Sequence, residues 1–218
     1  MAFRAMTAPV EIVMSGFPPL AAMLGVPGAP RGLVIFAHGS GSGRLSPRNN
    51  HVAARLREAG LATLLLDLLT PQEEADRRNV FDIGLLASRL LRAADWAALD
   101  PRTAGLRPCY FGASTGAGAA LRAAAYDRRI AAVVSRGGRP DLAGAEALAR
   151  VRAPTLLLVG GLDTAVIGLN EQARDTMKCQ SEMVIVPGAG HLFEEPGTLD
   201  LVVDLTRGWF LRHLGVQT

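Results

Sequence analysis

The sequence predicts one α/β domain built on a mostly parallel sheet with helices on both faces. Short apolar runs alternate with longer amphipathic stretches along the chain; Leu33–Phe36 is continuously apolar, as strands covered on both faces are, and Leu61–Leu66 reads as a second buried strand. A third observation is bulk. The 218 residues, 49% hydrophobic and 20% charged, suffice for a continuous core and a single domain over residues 1–218.

Val10–Met14 and Leu20–Val26 read as an antiparallel start, with Gly16, Pro18 and Pro19 turning between them. Leu33–Phe36 is a strand. Asn49–Ala59 follows as a helix with Val52, Leu56 and Ala59 on one face, stopped by Gly60, and Leu61–Leu66 is the next strand. From about Val80 to Leu99 apolar residues fall at helical spacing: Ile83, Leu86, Leu90, Leu91 and Ala94. Arg107–Phe111 returns to strand and Thr115–Tyr126 to an alanine-rich helix. Ala131–Ser135 is a strand, and Asp141–Ala149 a short helix with Asp141 as its N-cap. Thr155–Val159 and Met183–Val186 are the last strands, followed by helices at Ala165–Lys178 and Leu199–Leu214 respectively. Right-handed crossovers place such helices on both faces of a parallel sheet.

Composition narrows the function. The 23 Lys and Arg against 20 Asp and Glu give a net charge of +3, with Lys178 the single lysine. So small a charge and the lack of a basic run argue against a nucleic-acid partner. No apolar run is long enough for a membrane span, and the first residues lack the apolar core of a signal peptide, so no membrane partner and a cytoplasmic setting are expected. Cys109 and Cys179 cannot form a disulfide framework; Cys109 reads as a small core hydrophobe. The histidines and cysteines show no metal-ligand spacing, so no metal and no cofactor are expected. Monomer and homodimer both remain open.

The chemistry concentrates at Gly112-Ala-Ser-Thr-Gly116, a Gly-x-Ser-x-Gly pattern between an apolar strand and a helix. The serine occupies a tight turn where bulky neighbours would collide, and the helix that follows favours developing negative charge. Of four histidines, His213 reads as a surface residue of the closing helix, His51 as a solvated or capping residue, and His38 as part of the turn His38-Gly-Ser-Gly-Ser-Gly43. Only His191 follows the last strand, in the glycine-containing loop Pro187-Gly-Ala-Gly-His191. Asp163 lies directly beyond the strand of Leu156-Leu-Leu-Val159; its plainer role would be a helix N-cap. Ser114, Asp163 and His191 come in the order Ser…Asp…His, each on a loop after a separate strand, and in a parallel sheet those loops share one rim. The backbone N–H groups of Thr115 and Ser40 are the candidate oxyanion donors. Arg44, Arg48, Arg136 and Arg139 could meet an anionic group on a substrate, or pair with acids such as Asp141.

Together, His38-Gly-Ser-Gly, Gly112-Ala-Ser-Thr-Gly116, Gly160-Gly-Leu-Asp163 and Gly190-His-Leu-Phe193 resemble the dienelactone hydrolase-like branch of the α/β-hydrolase superfamily, from about Gly32 to Leu214. The resemblance implies an eight-stranded, mostly parallel sheet and a triad of Ser114, Asp163 and His191. Related bacterial chains share Ser135-Arg-Gly-Gly-Arg-Pro-Asp141 and Arg44…Ser46-Pro-Arg48-Asn49, and some are joined to a phosphoribosyltransferase-like domain not present in this sequence. Dienelactone hydrolases use a cysteine where this chain has Ser114, which favours a small carboxylic ester as substrate. Ser135–Pro154 holds one short helix at most, leaving little or no lid. A thioesterase or acyltransferase would use the same apparatus, and a binding module with vestigial catalysis is the alternative of another class.

Overall fold

The computed structural model describes residues 6–215. It opens with an antiparallel hairpin, β1 (Met6–Met14) and β2 (Phe17–Val26). β3 (Leu33–Ala37), α1 (Pro47–Glu58), β4 (Ala62–Leu66), the short α2 (Pro71–Glu74) and α3 (Arg77–Val80), and α4 (Ile83–Leu99) follow. Then come β5 (Pro108–Ala113), α5 (Thr115–Ala124), β6 (Val133–Arg136), a 3-10 turn at Pro140–Ala143, α6 (Ala145–Arg150), β7 (Thr155–Gly160), α7 (Thr164–Thr176), β8 (Ser181–Val186) and α8 (Thr198–His213). The eight strands form one sheet in the order β1-β2-β4-β3-β5-β6-β7-β8; β2 is antiparallel to both its neighbours, and every pairing from β4 to β8 is parallel.

Alternation along the strands feeds two cores. Leu33, Ile35, Tyr110 and Leu157 pack on one side, against α4, α5 and α6; Val34, Phe36, Phe111, Leu156 and Leu158 pack on the other, against α1 and α8. Burying a parallel sheet on both faces leaves its C-terminal rim as the place where side chains reach a cleft. The loops after β3, β5, β7 and β8 carry His38, Ser114, Asp163 and His191 to that rim.

Several boundaries differ from the sequence reading. Pro18 and Pro19 lie inside β2, not in the turn. They precede Ala22–Gly25, the stretch of β2 that pairs with β4, and a proline is tolerated where no second ladder needs its N–H. The turn itself is confined to Ser15 and Gly16. α1 begins at Pro47, with Ser46 accepting from the Asn49 N–H at its N-cap. The helical run is broken before Ile83 because Asp82 caps a new helix, its carboxylate accepting from the Leu85 N–H at 2.9 Å. Asp141 is no N-cap: it falls in the 3-10 turn, and α6 starts after Gly144. His51 does not cap α1; it is solvent-exposed, as its solvated reading expects, and its Nε2 lies 2.9 Å from Asp200 Oδ1 on α8. No helix among the described residues is long and apolar enough to cross a membrane.

Candidate active site

Ser114 sits between β5 and α5 with φ 50° and ψ −124°, one of two non-glycine residues with positive φ among those described. Such a conformation holds only where the surroundings enforce it, and the two glycines of the motif are part of that enforcement. A Cβ on Gly112 would lie 2.5 Å from Ala117 Cα, and one on Gly116 would lie 2.3 Å from the Ala37 carbonyl oxygen. The strand, the turn and the helix start therefore pack backbone to backbone, and the Ser114 side chain is left at the rim.

There it meets His191. The Ser114 hydroxyl lies 3.3 Å from His191 Nε2, and His191 Nδ1 lies 2.6 Å from Asp163 Oδ2. A carboxylate can only accept, so Nδ1 carries the ring proton and Nε2 is left to accept from the serine. Asp163 occupies the N-cap position of α7, yet its side chain makes no cap hydrogen bond. Its carboxylate turns to the imidazole instead. His191 is set by the loop after β8, where Phe193 (1% exposed, φ 55°) is buried in the core beside α8.

The two expected oxyanion donors lie side by side, but not both free. Thr115 opens α5, and the first amides of a helix have no acceptor within it. The Ser40 N–H, however, donates to Thr115 Oγ1 at 2.9 Å. The Thr115 hydroxyl thus ties the β3 loop to the helix start, leaving its own proton for a further acceptor. That loop is also held from beneath: the Leu68 N–H donates to His38 Nε2 at 3.0 Å, and His38 Nδ1 lies 2.9 Å from the Gly39 carbonyl, which fixes His38 as a neutral structural brace.

Ser114 and His191 open onto a cleft of about 680 Å³ that Arg48, Asn49 and Arg136 also line. A second cavity of about 250 Å³, reaching Leu69, Val80 and Leu86, lies against the same Gly39–Gly43 loop and receives Thr115. Its cover comes from α2 and α3, a region the sequence pattern left unassigned. The four arginines have different surroundings. Arg139 forks onto Asp141 at 2.7 and 2.9 Å, the plainer of its two expected roles. Arg44 is paired with Asp67, which also accepts from the Arg44 N–H at 2.6 Å. Arg48 reaches Glu194 at 2.6 Å. Arg136 is 7% exposed and has no carboxylate partner; burial, and then the neighbouring Arg48, push its pKa down to about 10, which still leaves it charged near neutral pH. Asn49, 2% exposed, was read from sequence only as the start of a helix; the shared segment Ser46-Pro-Arg48-Asn49 was the available signal.

No family model matches the chain. A crystal structure of dienelactone hydrolase from Anabaena variabilis is 51% identical, with a TM-score of 0.92, over 96% of this chain and 99% of that one. Two curated relatives, from two strains of Mycobacterium tuberculosis and each provisionally named a phosphoribosyl transferase, are 59% identical over 203 residues. The match takes in 93% of this chain, which spans about half (46%) of the length of those relatives. Est1E from Butyrivibrio proteoclasticus has the same fold at 18% identity, with a TM-score of 0.80 over 95% of this chain and 99% of that one.

Proposed function

Because this chain belongs to the dienelactone hydrolase family of α/β-hydrolases, we propose that it is a serine hydrolase that cleaves small carboxylic esters through an acyl-enzyme. The observation that carries the reading is the unbroken run of contacts from Ser114 through His191 to Asp163. Ser114 Oγ attacks the ester carbonyl carbon while its proton passes to His191 Nε2. The carbonyl oxygen, now negative, takes the Thr115 N–H and either the Ser40 N–H or the Thr115 hydroxyl proton. The C–O bond to the alcohol breaks, and His191 returns its proton to the departing oxygen. Water then adds to the acyl carbon and gives a proton to His191. The acid leaves as that proton goes back to Ser114 Oγ. Asp163 holds the imidazole in the tautomer that both half-reactions need.

The span between β6 and β7 holds only the 3-10 turn and α6, so the cleft has little cover of its own and suits short or accessible acyl groups. The phosphoribosyl transferase name belongs to proteins about twice as long as this chain. The test is labelling with a fluorophosphonate probe, wild type beside Ser114→Ala, followed by turnover of p-nitrophenyl acetate, butyrate and octanoate. Labelling confined to the wild type, with acetate and butyrate turned over faster than octanoate, is the expected result. A folded wild-type protein that takes no label would remove the reading.

A further inference from the structure

Gly137, Gly138 and Arg139, the loop after β6, each meet a different part of the framework that holds the triad. Gly137 backs His191: a Cβ there would lie 2.8 Å from the His191 carbonyl oxygen and 3.7 Å from Nδ1, the ring nitrogen that faces Asp163. The Gly138 carbonyl accepts from Asn170 Nδ2 at 3.1 Å, and the Arg139 N–H donates to the Ser114 carbonyl at 3.1 Å. The loop is itself fixed to the sheet, since the Gly137 N–H donates to the Leu158 carbonyl of β7 at 2.7 Å.

Asn170 links this loop to the helix that carries Asp163. It is fully buried (0% exposed) on α7, two turns beyond Asp163 and so on the same face of the helix. Asp163 is tied to the start of that helix, its carbonyl accepting from the Val166 and Ile167 N–H groups at 3.0 and 3.2 Å. The Asn170 amide directs one hydrogen to the Val166 carbonyl at 2.9 Å and the other to Gly138, 32 positions away in the chain. Two carbonyl oxygens can only accept, which fixes the end of the amide that faces them. Oδ1 makes no hydrogen bond within the protein. A buried amide engaged on one side only adds little net stability, but it fastens α7 to the loop in a single register.

We propose that Asn170 is a positioning residue of the triad, whose bond to Gly138 sets the distance between Asp163 on α7 and His191 on the loop after β8. Asp163 moves with α7, whereas Gly137 keeps His191 with the sheet. The 2.6 Å contact between the two therefore depends on how firmly α7 is fastened to the Gly137–Arg139 loop. Among the described residues the Asn170 amide makes the only side-chain hydrogen bond between them. Displacing a catalytic group by about 1 Å is enough to cost about a hundredfold in rate. The inference rests on the ester-hydrolase reading for the reaction it serves, and on the distances alone for the tether.

The test uses the full chain carrying Asn170→Leu, which removes both donors and keeps the bulk, or Asn170→Ala, which removes them and leaves space. The alanine variant serves if the leucine variant does not fold. The expected result is a fall in kcat for p-nitrophenyl acetate of about tenfold to a hundredfold with KM unchanged. Labelling of Ser114 by a fluorophosphonate probe should slow by a similar factor. The low-field proton resonance of the Asp163–His191 hydrogen bond, assigned by its loss in Asp163→Asn, should move upfield in the same variant. A folded variant with wild-type kcat would overturn the proposal. So would one that loses activity while the resonance stays in place, which would make Asn170 a structural residue only. If the wild type neither takes the label nor turns over the ester, the hydrolase reading fails by itself and the resonance alone decides: a shift in the variant supports the tether, and an unmoved line overturns it.

Discussion

The corner built by α2 and α4 and the rim that carries Ser114, Asp163 and His191 use the same kinds of residue in opposite ways. In the corner, charges serve the local chain. Thr70 and Glu73 form a reciprocal capping box on α2, Asp82 caps α4, and the buried Arg89 meets Glu73 and lies 4.7 Å from the centre of the Phe17 ring. At the rim the same opportunities are passed over. Asp163 stands at a helix N-cap and does not cap; Ser114 stands at the N-cap of α5 in a disfavoured conformation; Arg136 is buried with no acid. Local rules are broken where a site needs side chains aimed at something other than their own backbone.

The largest effect that sharpens this contrast is expected at Asp163. Asp163→Asn should lower ester turnover by about 10⁴-fold, because the amide stabilises the wrong tautomer of His191. The circular-dichroism melt should barely move, since α7 has no side-chain cap to lose. A large loss of stability with modest loss of turnover would return Asp163 to the structural class. Next comes Glu73→Gln in the corner. It strands the charge of Arg89, which is 2% exposed, and should cost about 3 kcal/mol in urea denaturation while leaving p-nitrophenyl acetate turnover in place. Asp82→Ala removes a single cap and should cost about 1 kcal/mol by the same measurement. The smallest effect is at the strained turn: Ser114→Gly should be more stable than Ser114→Ala by up to about 1 kcal/mol, since only glycine relieves the positive φ. Equal stability of the two variants would mean that the turn holds no strain.

The sequence already displayed much of the rim. Ser114, Asp163 and His191 each lie on a loop after an apolar run and occur in one order, and a parallel sheet has only one edge where such residues can meet. Arg139 and Asp141, two residues apart, were likewise readable as partners. Other features depend on contacts that local pattern does not encode. That the Ser40 amide goes to Thr115 Oγ1 depends on how α5 docks beside the β3 loop, across 75 positions of chain. That Arg136 lacks an acid depends on what every neighbouring loop brings near it. Residues 67–80 have no apolar period to betray two helices of four residues each, and only the Thr70-Pro-Gln-Glu73 cap signal was there to find. Pro18 and Pro19 were assigned to a turn by their residue type, whereas their place is decided by where β4 stops pairing with β2.

Strands β5 to β8 stand in the sheet in the order in which the chain makes them, whereas β3 and β4 exchange places. Ser114, Asp163 and His191 therefore depend on successive neighbour pairings, the last of which docks the outermost strand. During refolding, collapse of the central strands can bury most of the apolar side chains while His191 still has no fixed position. Recovery of ester turnover would then time the arrival of β8, and should lag behind the recovery of fluorescence from Trp96, which packs against the core from α4.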